Sequence, residues 1–253
     1  MRIKLTLSYN GAAFSGWQTQ TNAPSVQGTL EDALATLLGT SAAVTGAGRT
    51  DTGVNAINYV AHFDAESEDG ILIGRRGLPL SDLPYRLNAV LPREIAVQDA
   101  CRVDENFHAR FSATARTYKY FIHFRKDPFL NAFSWECHYR LDLEKMNEAC
   151  TRLYGGHDCS CFEKKGSDNL TSICTIYSAL WEEDSRGGMI FTIKANRFLR
   201  NMVRAIVGTM VDIGRGVNSP EYITSLLENG TRSDAGQSVP GHALFLTGID
   251  YPD

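Results

Sequence analysis

The chain has little that would place it in a membrane or in a disulfide-built scaffold. Its six cysteines are scattered at positions 101, 137, 150, 159, 161 and 174 of 253 residues, whereas secreted disulfide frameworks crowd cysteines into short chains. No apolar run approaches the roughly 20 residues that a membrane-spanning helix needs. The opening Met1-Arg2-Ile3-Lys4 leads into an alternating pattern and not into a signal-peptide core. Zinc-ligand spacing is missing as well. In His157-Asp158-Cys159-Ser160-Cys161 the cysteines are one residue apart, and no second pair follows. These shortages predict a soluble, cytoplasmic protein with free thiols, no metal and no membrane partner.

Acidic residues are plentiful overall, giving a formal net charge of −4, yet two long stretches contain none. Between Asn106 and Lys126 every charged residue is basic, including Arg110, Arg116, Lys119, Arg125 and Lys126. Between Met189 and Val211 only Lys194, Arg197, Arg200 and Arg204 are charged. The negative charge gathers elsewhere, at 64–69 and in Glu182-Glu183-Asp184. Basic residues interleaved with Tyr118, Tyr120, Phe121 and Phe124 suit an RNA-binding face, and equally a strand with a solvated basic edge.

Hydrophobic periodicity gives the order of elements. Arg2 to Tyr9 alternates with period two and predicts a half-buried strand. Val26, Leu30, Ala33, Leu34, Leu37 and Leu38 fall at helical spacing, with Ser25 as N-cap and Gly39 as stop. Strands are expected at 58–63 and 95–103, with a short helix at 83–91. A second half repeats the plan: strand 117–124, helix 143–153 capped by Asp142, strands 173–181 and 189–195, helices 198–213 and 221–227, and strand 244–251. This predicts an α+β fold of two α/β subdomains with antiparallel or mixed sheets. The boundary is expected within 106–116, giving subdomains 1–108 and 109–253.

The densest chemical signal is Gly46-Ala47-Gly48-Arg49-Thr50-Asp51-Thr52-Gly53-Val54-Asn55-Ala56. Gly46, Gly48 and Gly53 suggest a tight loop. On extended backbone Arg49 and Asp51 point the same way, and a fixed cation favours an ionised carboxylate. Such a carboxylate suits nucleophilic or general-base work. A surface turn with a structural ion pair is the plainer reading. Asp51-Thr52-Gly53 is also the aspartic-protease triplet, but that chemistry needs two coupled aspartates and this chain has one such triplet.

Taken whole, the string resembles the active-site motif of the tRNA pseudouridine synthase A family. Further matches follow in the family's order: Gly16-Trp17-Gln18, Val26-Gln27-Gly28-Thr29-Leu30-Glu31, Leu87-Asn88 with Leu91-Pro92, and Phe107-His108-Ala109-Arg110-Phe111-Ser112-Ala113. Then come Arg116-Thr117-Tyr118-Lys119-Tyr120, Gly156-His157-Asp158, and Phe198-Leu199-Arg200-Asn201-Met202-Val203-Arg204 leading into Ile206-Val207-Gly208. The chain departs from the family pattern at Asn55, where histidine is usual, at Cys174, where arginine is common, and at Ala243, where glycine is usual.

The resemblance implies two α/β subdomains meeting at an RNA-binding cleft, a homodimer, and isomerisation of uridine to pseudouridine in the anticodon arm of tRNA without cofactor or metal. It implies Asp51 as nucleophile, attacking sugar or base. Arg204 would pair with Asp51, and Tyr118 would stack on the target base and relay a proton. Arg49 would hold the flipped state, with Asn55, Arg110, Arg116, Lys119 and Arg200 as further RNA contacts. A non-catalytic RNA-binding or RNA-folding module is the competing expectation, and a protease a distant one.

Overall fold

The computed structural model describes residues 1–252 except 69, 74–76, 165 and 167–169, so Asp69 of the acidic segment lies outside the described residues. The chain divides into two compact units, one of 1–114 with 246–253 and one of 115–245. The division falls inside the expected boundary segment, six residues beyond the predicted end of the first subdomain. The tail of the chain returns to the first unit, which sequence order does not reveal.

The first unit is built on β1 (Arg2–Tyr9). Ile3, Leu5, Leu7 and Tyr9 are buried and their neighbours are not, so the alternation seen in the sequence is the alternation of the pleat. After α1 (Val26–Leu38) come β2 (Asn55–Asp64), α2 (Leu83–Val90) and β3 (Ile95–Arg102). The central β1 is antiparallel to both β2 and β3, with Leu5 opposite Ala61 on one side and Ala100 on the other. Ser25 Oγ accepts from Gly28 N–H at 3.1 Å. Gly39 closes α1 at φ +75°, a left-handed conformation that glycine adopts without a Cβ clash. Asn88 knits α2 to the sheet by bonding both the N–H and the C=O of Val97 at 2.8 Å each. Three two-residue strands, Ser67–Glu68, Ile71–Leu72 and Leu78–Pro79, form a small separate ribbon that no periodicity announces.

The second unit holds β4 (Ala115–His123), α3 (Leu143–Thr151), β5 (Gly155–Asp158), β6 (Ile173–Glu183), β7 (Met189–Ala195), α4 (Met202–Gly214) and α5 (Tyr222–Asn229). Its four longer strands run in the order β5-β6-β7-β4 with antiparallel pairing, and the two-residue strand Trp135–Glu136 pairs parallel to β4. Asn147 does for α3 what Asn88 does for α2, bonding the N–H and C=O of Trp181 at 2.8 and 3.0 Å. The strand β5 is glycine-rich and carries His157 and Asp158, which the sequence offered only as a faint metal motif. The last strand, β8 (Leu244–Asp250), crosses the division between the units.

Two expectations for α4 need correction. It begins at Met202 and not at Phe198, because Asn201 sits at φ +65° and breaks the helical path. Its last residue is Gly214, one beyond the expected end at 213. A Cβ there would lie 2.6 Å from Met146 Sδ, so the glycine lets α3 pack closely on α4. No described helix is long and apolar enough to cross a membrane.

Candidate active site

In the first unit the glycine-rich segment lies over three aromatic rings. Trp17 and Tyr59 stack with centroids 4.2 Å apart, and Tyr9 meets Tyr59 edge-on at 5.5 Å. The Tyr59 hydroxyl hydrogen-bonds the Gly48 carbonyl. A Cβ at Gly46 would strike that hydroxyl and the Trp17 ring at about 2.5 Å, so the residue must be glycine for space. Gly53 is glycine for conformation, at φ +76°. Gly48 has neither reason: a Cβ there would meet nothing within 4 Å.

Thr50 is the anchor of this segment. It is buried, its hydroxyl shares a 2.8 Å hydrogen bond with Tyr9, and its carbonyl accepts from Trp17 N–H at 3.2 Å. Gly16 passes so close that a Cβ on it would lie 2.5 Å from that same carbonyl. With Thr50 pointing inward, its neighbours point outward. Arg49 is exposed and Asp51 half-buried. The Asp51 carbonyl accepts from Val54 N–H at 3.1 Å, closing the turn behind the carboxylate.

Asn55 is placed differently from the expectation of an RNA contact. Its side chain is 1% exposed, and its Oδ1 accepts from Gly11 N–H at 2.8 Å. It ties the loop after β1 to the start of β2, and no surface of it is open to RNA. Arg110, also in this unit, is exposed and lies 5.5 Å over the Phe111 ring.

The second unit contributes Tyr118 and Arg204. Tyr118 lies on β4 opposite Ile193, on the same side of the strand as buried Tyr120, and packs edge-on against Phe198 at 5.1 Å. Arg204 is in the first turn of α4, and its Nε donates to the Val239 carbonyl at 2.7 Å. The Val239 N–H in turn donates to the Arg204 carbonyl at 3.3 Å. Arg116 Nη1 donates to the Asn196 carbonyl at 2.9 Å.

Three readings of the basic and aromatic residues change here. Lys119 is opposite Thr192 and adjacent to Tyr118 on β4, so the pleat turns it to the other face of the sheet. Tyr120 is fully buried, its hydroxyl donating to Pro240 O at 3.0 Å. Burial pushes its pKa far up, against the opposing effect of the Arg204 charge, so it belongs to the core and not to an RNA face. Arg200 precedes α4 and is separated from it by left-handed Asn201, so it does not lie one helical turn before Arg204 as its spacing suggests.

The cysteines of the His-x-Cys-x-Cys segment are packed inward. Cys159 Sγ donates to the His157 carbonyl at 3.7 Å, and Cys159 and Cys174 are both fully buried. His157 Nε2 lies 2.9 Å from the Tyr154 carbonyl. Among the described residues no group of three or more His, Cys, Asp or Glu is arranged to hold a metal ion.

Comparison with known proteins identifies the family. The family model described as tRNA pseudouridine synthase matches residues 6–112 and 149–252. The chain belongs to that family. It is 45% identical to tRNA pseudouridine synthase A of Bacteroides fragilis over 251 residues, covering 99% of this chain and 96% of the relative. It is 45% identical to the protein of that name from Parabacteroides distasonis, over 100% of this chain and 96% of the relative. The Bacillus subtilis protein of that name is 40% identical, over 99% of both chains.

The protein is therefore an isomerase with the pseudouridine synthase fold, converting uridine to pseudouridine in tRNA. That identity sets aside the aspartic-protease and non-catalytic readings. The matched residues include the Asp51 segment and Arg204, and the match breaks over 113–148, where Arg116, Tyr118 and Lys119 stand. The whole-length relatives span that gap.

Proposed function

We propose that this synthase modifies uridines of the tRNA anticodon arm, with Asp51 as nucleophile, and that it works as a cytoplasmic homodimer. The observation that carries the nucleophile is the anchoring of Thr50. A buried, doubly hydrogen-bonded residue fixes the backbone on the N-terminal side of Asp51 and leaves the carboxylate reachable. Held and reachable is what nucleophilic catalysis asks of a carboxylate.

The chemistry conserves atoms and electrons. The carboxylate of Asp51 adds to the sugar anomeric carbon or to the base ring. The bond from the anomeric carbon to ring nitrogen breaks, the base turns, and its C5 bonds to the same sugar carbon. A carboxylate on the sugar is displaced as C5 bonds there, and one on the ring is eliminated afterwards, as the C5 proton leaves to solvent and nitrogen takes one up. Tyr118, half-buried and braced by Phe198, stacks on the turned base and relays the departing proton. Arg204, its guanidinium oriented by the Val239 carbonyl, supplies a cation to the reaction. The uridine must leave its stack at a cost of roughly a few kcal/mol. Arg49, exposed beside Asp51, holds that flipped state, with Arg110, Arg116 and Arg200 gripping phosphate.

The test is tritium release from unmodified tRNA labelled at uridine C5, with the wild type and Asp51→Ala side by side. The wild type should release tritium and the variant none above background. Equal release by both would place the nucleophile elsewhere. Mapping pseudouridine in the product should find it in the anticodon arm, and sedimentation should give twice the 27.9 kDa chain mass.

A further inference from the structure

Phe111 has no role in anything described so far. Its ring is 76% exposed, the side chain of a large apolar residue held out in water. Such a ring on a loose loop would call for no explanation. This loop is not loose. His108 Nδ1 accepts from the N–H groups of both Arg110 and Phe111 at 3.2 Å. His108 N–H donates to Ser112 Oγ at 2.9 Å, and Ser112 N–H donates back to the His108 carbonyl at 2.9 Å.

The residue between them is pinned from both ends of its peptide units. Ala109 is fully buried, its N–H donates to His62 Nδ1 at 3.1 Å, and its carbonyl accepts from the Tyr251 hydroxyl at 2.7 Å. Upstream, Arg2 Nη1 donates to the Phe107 carbonyl at 2.9 Å. The Phe111 ring itself lies against the His108 imidazole, centroids 4.3 Å apart, with the Arg110 guanidinium 5.5 Å from its centre.

A rigidly presented aromatic ring with a cation beside it is what an unstacked nucleobase binds best. The ring offers a π face to any base, little freedom remains to be lost on binding, and the guanidinium can reach the neighbouring phosphate. We propose that Phe111, with Arg110 against it, is a stacking platform for an unpaired tRNA nucleobase other than the uridine being isomerised. It acts on substrate affinity and placement. The proposal rests on tRNA being the substrate and not on the identity of the nucleophile.

The experiment compares the full chain with Phe111→Ala, Phe111→Leu and Phe111→Tyr, using a fluorescently labelled unmodified tRNA transcript for anisotropy and the same sequence for tritium release. Because the ring is exposed, all three variants should unfold at the wild-type denaturant midpoint. Removing one base–aromatic stack should weaken tRNA binding roughly ten-fold or more. That loss is expected for both Ala and Leu, with Tyr close to wild type, and it should appear in KM more than in the saturating rate. Leucine keeps apolar bulk without a π face, so wild-type binding by Phe111→Leu would overturn the proposal. So would undiminished binding by a folded Phe111→Ala.

Discussion

The histidines that hold the Phe107–Ser112 loop do so as acceptors, which fixes their protonation. His62 is buried, and its Nδ1 must stay bare to receive the Ala109 N–H. Burial first, then the charges of Arg2 and His108, lower its pKa to about 4, with Asp64 opposing. An unfolded histidine titrates near pH 6.5. Between those values the unfolded chain takes up a proton that the folded chain refuses. The stabilisation is thus complete above about pH 6.5 and drains away as pH falls toward 4, on the order of 2 kcal/mol. His108 is shifted the same way, mainly by burial, and adds to the slope. An imidazole proton titration by NMR should place His62 near pH 4, and urea unfolding should show lower stability at pH 5 than at pH 7. A His62 midpoint near 6.5 would mean that the imidazole is not held neutral by the loop. None of this was visible in the sequence, where His62 is one more residue of an apolar strand and only its partners give it a role. The same holds for Asn55: the family resemblance implied an RNA contact, whereas its buried side chain accepts from the distant Gly11 amide.

Elements were legible where a periodic pattern met a cap. The helix Val26–Leu38 could be read to the residue because Ser25 and Gly39 mark both ends in local chemistry. The helix Met202–Gly214 could not, because its apolar stripe runs on through Leu199 while Asn201 bends the backbone away. The alternation of β4 was legible over 117–124, and it turns Lys119 away from the face of Tyr118. What makes α4 singular is its contact with residues 235–239, which lie far along the chain. A Cβ on Gly208 would sit 1.9 Å from the Gln237 carbonyl oxygen, and one on Gly236 would sit 2.4 Å from Thr209 N. The same segment supplies the Val239 carbonyl that orients Arg204. Glycine to alanine inside a helix ordinarily stabilises by about 1 kcal/mol. Here the sign reverses. Gly208→Ala should destabilise by roughly 3 kcal/mol or more, because the incoming atom meets backbone that cannot step aside. It should also lower isomerase activity in molecules that remain folded, since moving residues 237–239 moves the acceptor of Arg204. Gly236→Ala should behave alike, and the double variant should cost less than the sum, as expected of two atoms competing for one gap. Chemical denaturation with parallel tritium release reads all three. A stabilised Gly208→Ala would show that the two segments do not pack as closely as these distances require.

Across the whole molecule, net charge misleads and its distribution informs. A protein of formal charge −4 has no general attraction for nucleic acid. Binding of tRNA must therefore come from local basic groups, and it should respond to salt as a count of phosphate contacts. Arg49, Arg110 and Arg200 are exposed, and Arg116 is half-buried at the start of β4. Two of the four lie in each compact unit. If each of the four neutralises one phosphate, log K should fall against log salt with a slope of about −3 to −4. Replacing any one by glutamine should shallow that slope by about 1, independently of which tRNA is used. Lys119→Gln gives the internal comparison. It removes the same unit of charge from β4, but from the face opposite Tyr118, and should leave the slope where it was. Anisotropy titrations at several salt concentrations would measure all five variants against the wild type. A change for Lys119→Gln as large as for Arg116→Gln would show that the far face of the second unit also grips the RNA. The strand expected at 117–124 stops one residue short of Arg116, so only the observed β4, which starts at Ala115, puts Arg116 and Lys119 on opposite sides of one pleat.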